Sequence, residues 1–536
     1  MYMRHRPERR VRKLTIREFD SPPSSSAATI AEAPASPHEF RRHMGHVSRH
    51  STVVFAGTVF TAAAGYFFKV YLARVLGAEA LGIYALGMTI IGFLGLFNAL
   101  GLSQSAVRFV AEYRATGKLD QLRAFLARAL AALVISNLFL GSAVLWVGPW
   151  IAARFYHTPQ LSRYLVLFVL IMVLGVFNTF FGQVLAGYKD VARRTIISTF
   201  AATCLTILFT VALVSAGMAL RGYILAQVAS AALILVLLVA NVYKLTPAPA
   251  RSIASSLPAL EKEVYLFSAA VLGMDVLGFV LGQADKVLIG FYLDARQLGI
   301  YTIAAAMVAF VPTILQSVNQ IFTPTIADLY SRGEHQLLGR MFQTLTKWII
   351  ALTIPLAATF IIFSRPIMHI FGPEFEVGWL ILIIGTVGQL VNCGVGSVGY
   401  LLLMSGRQKI LLKIQVVMAG LMLVLNIMLV PRWGITGAAV AGAIVAILTN
   451  AWSLREVRSE LGLFPYNRSY GPLAAPVLVS VTTLLVMRHF LAGGWQLVAL
   501  SLLLAYASLI AGSLLFGLDE DDRMIVRAAW QRLRNL

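Results

Sequence analysis

The sequence predicts an all-α integral membrane protein of fourteen transmembrane helices: two six-helix lobes related by a parallel repeat, plus two extra C-terminal helices. Three observations carry this expectation. Apolar residues make up 58% of the 536 and charged residues 13%, whereas soluble domains are about half apolar and a quarter charged. The apolar residues gather in runs of about 20, the length a helix needs to cross a roughly 30 Å hydrocarbon core. A pattern that starts at Leu76 also returns at Leu293, well into the second half of the chain. The mean hydropathy is +0.78.

In chain order, residues 1–50 are polar and carry ten Lys or Arg with a Ser/Pro/Ala stretch from Ser21 to Pro37. They lack an apolar h-region, so they read as a basic disordered tail rather than a signal peptide. The spans follow at approximately 51–74, 80–106, 125–147, 163–186, 195–217, 221–243, 264–292, 297–323, 343–364, 378–404, 411–431, 434–453, 471–491 and 494–516. Residues 517–536 place Arg523, Arg527 and Arg534 opposite Ile525, Ala529 and Leu533, the pattern of a short amphipathic helix lying at a membrane surface. Cys204 and Cys393 lie inside apolar runs, which leaves no disulfide framework and reads as two small buried side chains.

Loop charge sets the orientation. With both termini in the cytoplasm, 34 of the 44 Lys and Arg fall on the cytoplasmic side. Eight fall outside (Arg74, Arg154, Arg163, Arg221, Arg296, Arg365, Arg432 and Arg488), and Lys69 and Lys286 lie within spans. A miscount by one span would scramble this alternation, so it supports the number as well as the direction. It also accounts for the net charge of +20 without nucleic acid. The expected location is the plasma membrane.

The repeat divides the chain into lobes 51–243 and 264–453, with 471–516 as an appendix. Leu76-Gly77-Ala78-Glu79-Ala80-Leu81-Gly82-Ile83-Tyr84 returns as Leu293-Asp294-Ala295-Arg296-Gln297-Leu298-Gly299-Ile300-Tyr301. The same interval makes Lys69-Val70 and Lys286-Val287 repeat partners, and an interval one position shorter brings Gln104 onto Gln320. Gly187-Tyr188-Lys189 parallels Gly406-Arg407-Gln408. Six spans per repeat give both halves one orientation, the arrangement of lobes that open a central cavity alternately to either side.

The repeated hydrophobic-Gly-x-x-x-Leu-Gly-Ile-Tyr turn, the Gln283-Ala284-Asp285-Lys286-Val287-Leu288-Ile289-Gly290 stretch and the six-plus-six-plus-two spans resemble the lipid-linked oligosaccharide flippases. That family shares a superfamily with the multidrug and toxin extrusion (MATE) antiporters and the lipid II flippases. The resemblance covers roughly residues 50–516. It implies movement of a polyprenyl-diphosphate-linked glycan from the inner to the outer leaflet, for assembly into a cell-surface polysaccharide. It also implies no cofactor beyond proton or sodium coupling, and a polysaccharide polymerase machinery as a partner. One chain holds both lobes, so a monomer is expected.

Ionisable groups inside a bilayer cost roughly 2.5–3.5 kcal/mol each on insertion scales, and these spans hold few. Lys69 and Lys286 are repeat-related, so they would face each other across a cavity as a cationic site for pyrophosphate or acidic sugars. Both lie toward the outer ends of their helices, where snorkelling to the interface is the alternative. Asp275 lies three helical turns before Lys286 on the same face, and Asp285 points elsewhere. Each carboxylate would either couple transport to a cation or pair with a neighbouring helix, and pairing is the favoured reading. Gln104, Gln320 and Gln283 would hydrogen-bond sugar hydroxyls or join helices. Arg108 and Glu112, with Asp328 equivalent to Glu112, would form a cytoplasmic gate of ion pairs or remain solvated loop charge.

A lipid II flippase and a cation-coupled drug antiporter of the same superfamily are the alternatives, and an enzyme is not expected. A cation-coupled drug antiporter would favour a carboxylate in the first lobe, where the one buried charge is Lys69. An enzyme acting on polyprenyl carriers would need a large outer loop bearing carboxylates or metal ligands. The outer loops here are short, and His157 and His369 are isolated.

Overall fold

The computed structural model describes residues 37–247, 259, 261–490 and 495–515, with side chains described within 64–489 and 496–515. Every regular element among them is helical. The α-helices are α1 (Pro37–Ala99), α2 (Leu102–Ala115), α3 (Leu119–Arg154), α4 (Leu165–Gly187), α5 (Val191–Thr195), α6 (Ala202–Leu213) and α7 (Ala219–Leu245). They continue as α8 (Lys262–Tyr292), α9 (Ala295–Val308), α10 (Thr313–Ser331), α11 (His335–Ile362), α12 (Ser364–His369) and α13 (Trp379–Val395). The last four are α14 (Val398–Met404), α15 (Gln408–Leu461), α16 (Gly471–Phe490) and α17 (Trp495–Leu515). The basic stretch 1–36 and the amphipathic stretch expected at 517–536 lie outside the described residues. Helix α1 begins at Pro37, ahead of the boundary expected at residue 51. Proline is well suited to a first helical turn, where its missing N–H has no partner to lose.

Ten segments are long and apolar enough to cross a membrane, and the bent pair α9–α10 makes an eleventh. Three of the ten are 52, 55 and 54 residues long: Ala64–Ala115, Val191–Leu245 and Gln408–Leu461. At 1.5 Å per residue each would run about 80 Å, more than twice a 30 Å core. Each contains a glycine in a left-handed conformation where the helix breaks: Gly77 (φ 78°), Gly217 (φ 84°) and Gly434 (φ 59°). Only glycine visits this region without a Cβ penalty. Gly217 and Gly434 are repeat partners. The repeat partner of Gly77 is Asp294, which turns the chain differently: its carboxylate accepts the Gln297 N–H at 2.7 Å and caps α9.

Two expected spans are broken. The second parts at Leu100 and Gly101, both with positive φ, before α2 begins. There a Cβ on Gly101 would lie 2.0 Å from the Ser268 carbonyl oxygen, so backbone contact with α8 dictates the break. The eighth bends by 50° between α9 and α10, at the stretch ending in Pro312. Pro355 lies inside an unbroken α11. Cys393 is buried as expected, but Cys204 is exposed on α6.

The largest apolar core gathers the arm of α1 after Gly77, α4, α9, α11 and α13. At its centre two helices cross at backbone distance. A Cβ on Gly82 would lie 1.6 Å from the Ala295 carbonyl oxygen, and a Cβ on Gly299 would lie 1.9 Å from that of Ala78. Gly82 and Gly299 are repeat partners, as are Ala78 and Ala295, so the contact is reciprocal. Small residues at a crossing let membrane helices gain dispersion contacts and close backbone approach, since lipid tails offer no hydrophobic drive.

Gly82→Ala or Gly299→Ala should therefore destabilise the protein by about 2–4 kcal/mol, because a carbonyl cannot yield as a side chain can. Gly95→Ala, where a Cβ meets nothing within 4 Å, should be near neutral. Thermal unfolding in detergent measures both, and equal melting of all three variants would remove the crossing from its central place.

Candidate functional site

The two lysines sit on matching helix faces. Gly65 and Lys69 on α1, and Gly282 and Lys286 on α8, each span a single helical turn and so lie one above the other. Gly65 and Gly282 are themselves repeat partners, and a Cβ on either would meet nothing within 4 Å. Each helix thus presents a lysine beside open space. Lys69 is exposed and Lys286 half-buried. Lys286 Nζ donates to Gln283 Oε1 at 2.8 Å.

Asp285 is turned away from that face and buried. Its Oδ2 accepts from the Tyr301 hydroxyl at 2.5 Å and its Oδ1 from the Lys286 N–H at 2.8 Å. The repeat partners of Asp285 and Tyr301 are Phe68 and Tyr84, which pack on Tyr223 with ring centres 6.1 Å and 4.6 Å away. One half of the chain therefore buries a ring where the other buries a carboxylate, and a tyrosine hydroxyl satisfies the carboxylate. Asp275 differs. It is exposed in the middle of α8, flanked by Gly273 and Gly278, which also face open space. Among the described residues no ion pair or hydrogen bond reaches its side chain, so the expected pairing with a neighbouring helix is not seen. Gln104 and Gln320 are both exposed.

The bundle end bearing Gly77 is latched by Glu374, a residue that no sequence pattern singles out. It stands in the 3-10 turn Pro373–Gly378. Its Oε1 accepts the Ala78 N–H at 2.7 Å, and its Oε2 lies 3.5 Å from Arg296 Nε. One carboxylate thus ties the turn after Gly77 to the start of α9. Arg74 adds a hydrogen bond from Nε to the Ile370 carbonyl at 2.8 Å. A cavity of about 560 Å³ lies between Arg74, His369 and Glu374. The available sequence signal is an acid directly after Gly-Pro, but its partners are distant in the chain, one of them in the first lobe.

At the opposite end α2 meets α8. Arg108 pairs with Glu263, and its guanidinium lies 4.9 Å above the Phe267 ring. Lys118 lies 3.9 Å from Glu261. Ser105 and Ser268 share a hydrogen bond of 2.7 Å beside the Gly101 contact. Of the two readings of Arg108, Glu112 and Asp328, gate or solvated charge, the structure shows other pairings for Arg108 and Asp328. Arg108 finds its carboxylate on α8, and Asp328 pairs with Arg332 one turn along its own helix at 2.8 Å. Exposed ion pairs contribute about 0–1 kcal/mol, so the backbone contact at Gly101 does most to hold α2 against α8. Among the described residues no cluster of three His, Cys, Asp or Glu could hold a metal ion.

Comparison with known proteins gives this geometry a setting. The family profile of polysaccharide biosynthesis proteins matches residues 71–376. The uncharacterized membrane protein MJ1068 of Methanocaldococcus jannaschii is 24% identical over 428 residues, covering 72% of this chain and 80% of that one. The probable flippase AglR of Haloferax volcanii is 24% identical over 345 residues, covering 62% and 69%. The probable low-salt glycan biosynthesis flippase Agl15 of the same organism is 26% identical over 184 residues, covering 34% and 39%. Among solved structures, the lipid II flippase MurJ in an inward closed conformation superposes with a TM-score of 0.69 at 14% identity, covering 87% of this chain and 98% of that one. An inward-facing MATE family multidrug resistance transporter gives 0.57 at 13% identity, covering 75% and 94%.

The latch has a direct test. In a chain whose two cysteines are replaced by alanine, Ala73→Cys lines the cavity beside Glu374 and is buried. Glu374→Ala should raise its labelling by a membrane-impermeant maleimide about tenfold, given the roughly 1.5 kcal/mol of a charge-assisted hydrogen bond. Unchanged labelling would mean the packing at Gly82 and Gly299 closes this end by itself.

Proposed function

The chain belongs to the polysaccharide biosynthesis protein family, and from that premise we propose that it is a flippase. It moves a polyprenyl-diphosphate-linked oligosaccharide from the inner to the outer leaflet by alternating access, for cell-surface polysaccharide assembly. One observation carries the reading: Lys69 and Lys286 stand on matching helix faces beside open space, each next to a glycine that leaves room for a ligand. Two compact, mobile cations are chemistry suited to gripping and releasing a diphosphate. Gln283, hydrogen-bonded to Lys286, and the exposed Gln104 and Gln320 supply groups for sugar hydroxyls. The likeness in fold to a lipid II flippase and the names of the archaeal relatives support the same reading.

The proposed architecture is fourteen spans. Taking the three glycine-broken segments as two spans each and the bent pair as one accounts for that number. The reciprocal contact of Gly82 and Gly299 supports two lobes, 51–243 and 264–453, related by an axis along the membrane normal, with 471–516 outside the repeat. The basic loops support both termini in the cytoplasm of a cell-membrane protein. The Glu374 latch then closes the outer side, and Arg108 with Glu263 stands on the inner one. We take the protein to be a transporter rather than an enzyme and to work as a monomer, delivering its glycan to polymerase machinery. Asp275, an unpaired carboxylate facing open space inside α8, is the residue we assign to proton or sodium coupling. That same carboxylate, although it lies in the second lobe, leaves room for a second reading, a cation-coupled drug antiporter of the MATE type.

Lys69→Ala with Lys286→Ala should cut the appearance of lipid-linked glycan in the outer leaflet about tenfold or more while leaving membrane insertion unchanged. Sidedness of the glycan in intact cells reads this out, and normal sidedness would make the lysines interfacial anchors. Asp275→Asn should abolish any dependence of flipping on the proton or sodium gradient while leaving glycan binding intact. Unchanged gradient dependence would return Asp275 to a structural role. Drug efflux without a glycan defect would favour the antiporter.

A further inference from the structure

A second polar cavity, of about 300 Å³, lies away from the two lysines, between α4, the α5–α6 segment and α7. Its walls include Asn178, Arg194, Ser198, Thr206, Gln227 and Ser230 and contain no carboxylate. The helix that supplies Arg194 and Ser198 is distorted there: residues Ile196–Ala201 form a π-turn, which adds a residue to the turn and is common at functional sites. Gly182 faces the same place, and a Cβ on it would lie 3.5 Å from Ser198 Oγ and 3.9 Å from Arg194 Nε. The backbone has been left bare where the arginine enters.

The hydrogen-bonding groups are polarised along the cavity. At one end the Arg194 guanidinium has no ion pair or hydrogen bond among the described residues. Its neighbour Arg193 is already held by Asp190 at 3.2 Å. At the other end most donors are engaged by the protein itself. Thr206 donates to Ser230 at 2.9 Å, and Ser230 donates to the Ala202 carbonyl at 3.3 Å. Gln227 donates through Nε2 to the Tyr223 and Tyr84 hydroxyls at 3.1 and 3.3 Å. Asn178 donates to the Ala231 carbonyl at 3.0 Å, while its Oδ1 is shielded from solvent and has no partner. What remains is a cation with the Ser198 hydroxyl beside it at one end, and at the other the unpaired Asn178 Oδ1 with lone pairs on the Thr206 hydroxyl. Leaving a shielded amide oxygen unpaired costs about 1–3 kcal/mol, so the arrangement calls for a donor.

We propose that this cavity is a binding site for a hydroxylated anion, a phosphate or carboxylate that carries free hydroxyl groups. Arg194 takes the charge, and Asn178 Oδ1 with the Thr206 oxygen accepts from the hydroxyls. An acidic sugar residue and the headgroup of phosphatidylglycerol both have this chemistry, and the cavity is at the small end of known ligand sites. The site stands independently of the transport reading, since neither lysine contributes to it.

The test uses the full-length protein in phosphatidylcholine nanodiscs, titrated with glucuronate or with phosphatidylglycerol added to the bilayer, and followed by thermal unfolding. One probe should raise the melting temperature of the wild type and, equally, of Lys69→Ala with Lys286→Ala. Response to glucuronate identifies a sugar site, and response to phosphatidylglycerol alone identifies a lipid site. Arg194→Gln should weaken the response about tenfold or more. Asn178→Asp, which keeps the shape but adds a negative charge, should weaken it as well. No response to either probe, or a response unchanged in both variants, would overturn the proposal and leave the cavity to water.

Discussion

The reciprocal approach of Gly82 to Ala295 and of Gly299 to Ala78 is the contact on which the remaining geometry rests. Inside a bilayer, packing gains are dispersion and close contact rather than release of water, so a helix crossing is as strong as its backbones are near. Any Cβ at either glycine would push the two helices apart. Because the helices meet in register, the turn after Gly77 arrives beside the start of α9. There a single carboxylate, Glu374, can reach an N–H on one and a guanidinium on the other.

The polar groups sort themselves by the cost of being left unpaired in a low dielectric. Asp285 is buried and fully engaged by Tyr301 and a backbone N–H. Lys69 and Lys286 face open space, where their charges need not be neutralised by protein. Asp275 belongs to the second group although it sits on the same helix as Asp285. Two carboxylates on one span thus serve opposite ends, one holding helices together and the other left free.

Much of this was legible in the chain because it depends on local pattern. Runs of about 20 apolar residues imply spans whatever their neighbours are. The repeat interval aligned Lys69 with Lys286, and Gly82 with Gly299, before any coordinates. Less legible were the breaks. Leu100 and Gly101 sit in a run that reads as continuous helix, and Pro355 bends nothing although proline usually does. Arg108 offered no sign of its partner in the sequence, since its carboxylate is the distant Glu263 on α8.

The sequence by itself determined that the chain is helical and membrane-spanning, that it carries a repeat and that two of the few charges within its spans are related lysines. Those properties follow from hydropathy and spacing, which act along the chain. The tertiary structure alone decided that Glu374 latches one end, that Arg108 crosses to α8, that Asp275 is unpaired while Asp285 is satisfied, and that Arg194 stands over a polar cavity. An ion pair or a hydrogen bond is a matter of a few ångströms between residues far apart in the chain. Loop-closing geometry decides those distances, and no local pattern encodes it.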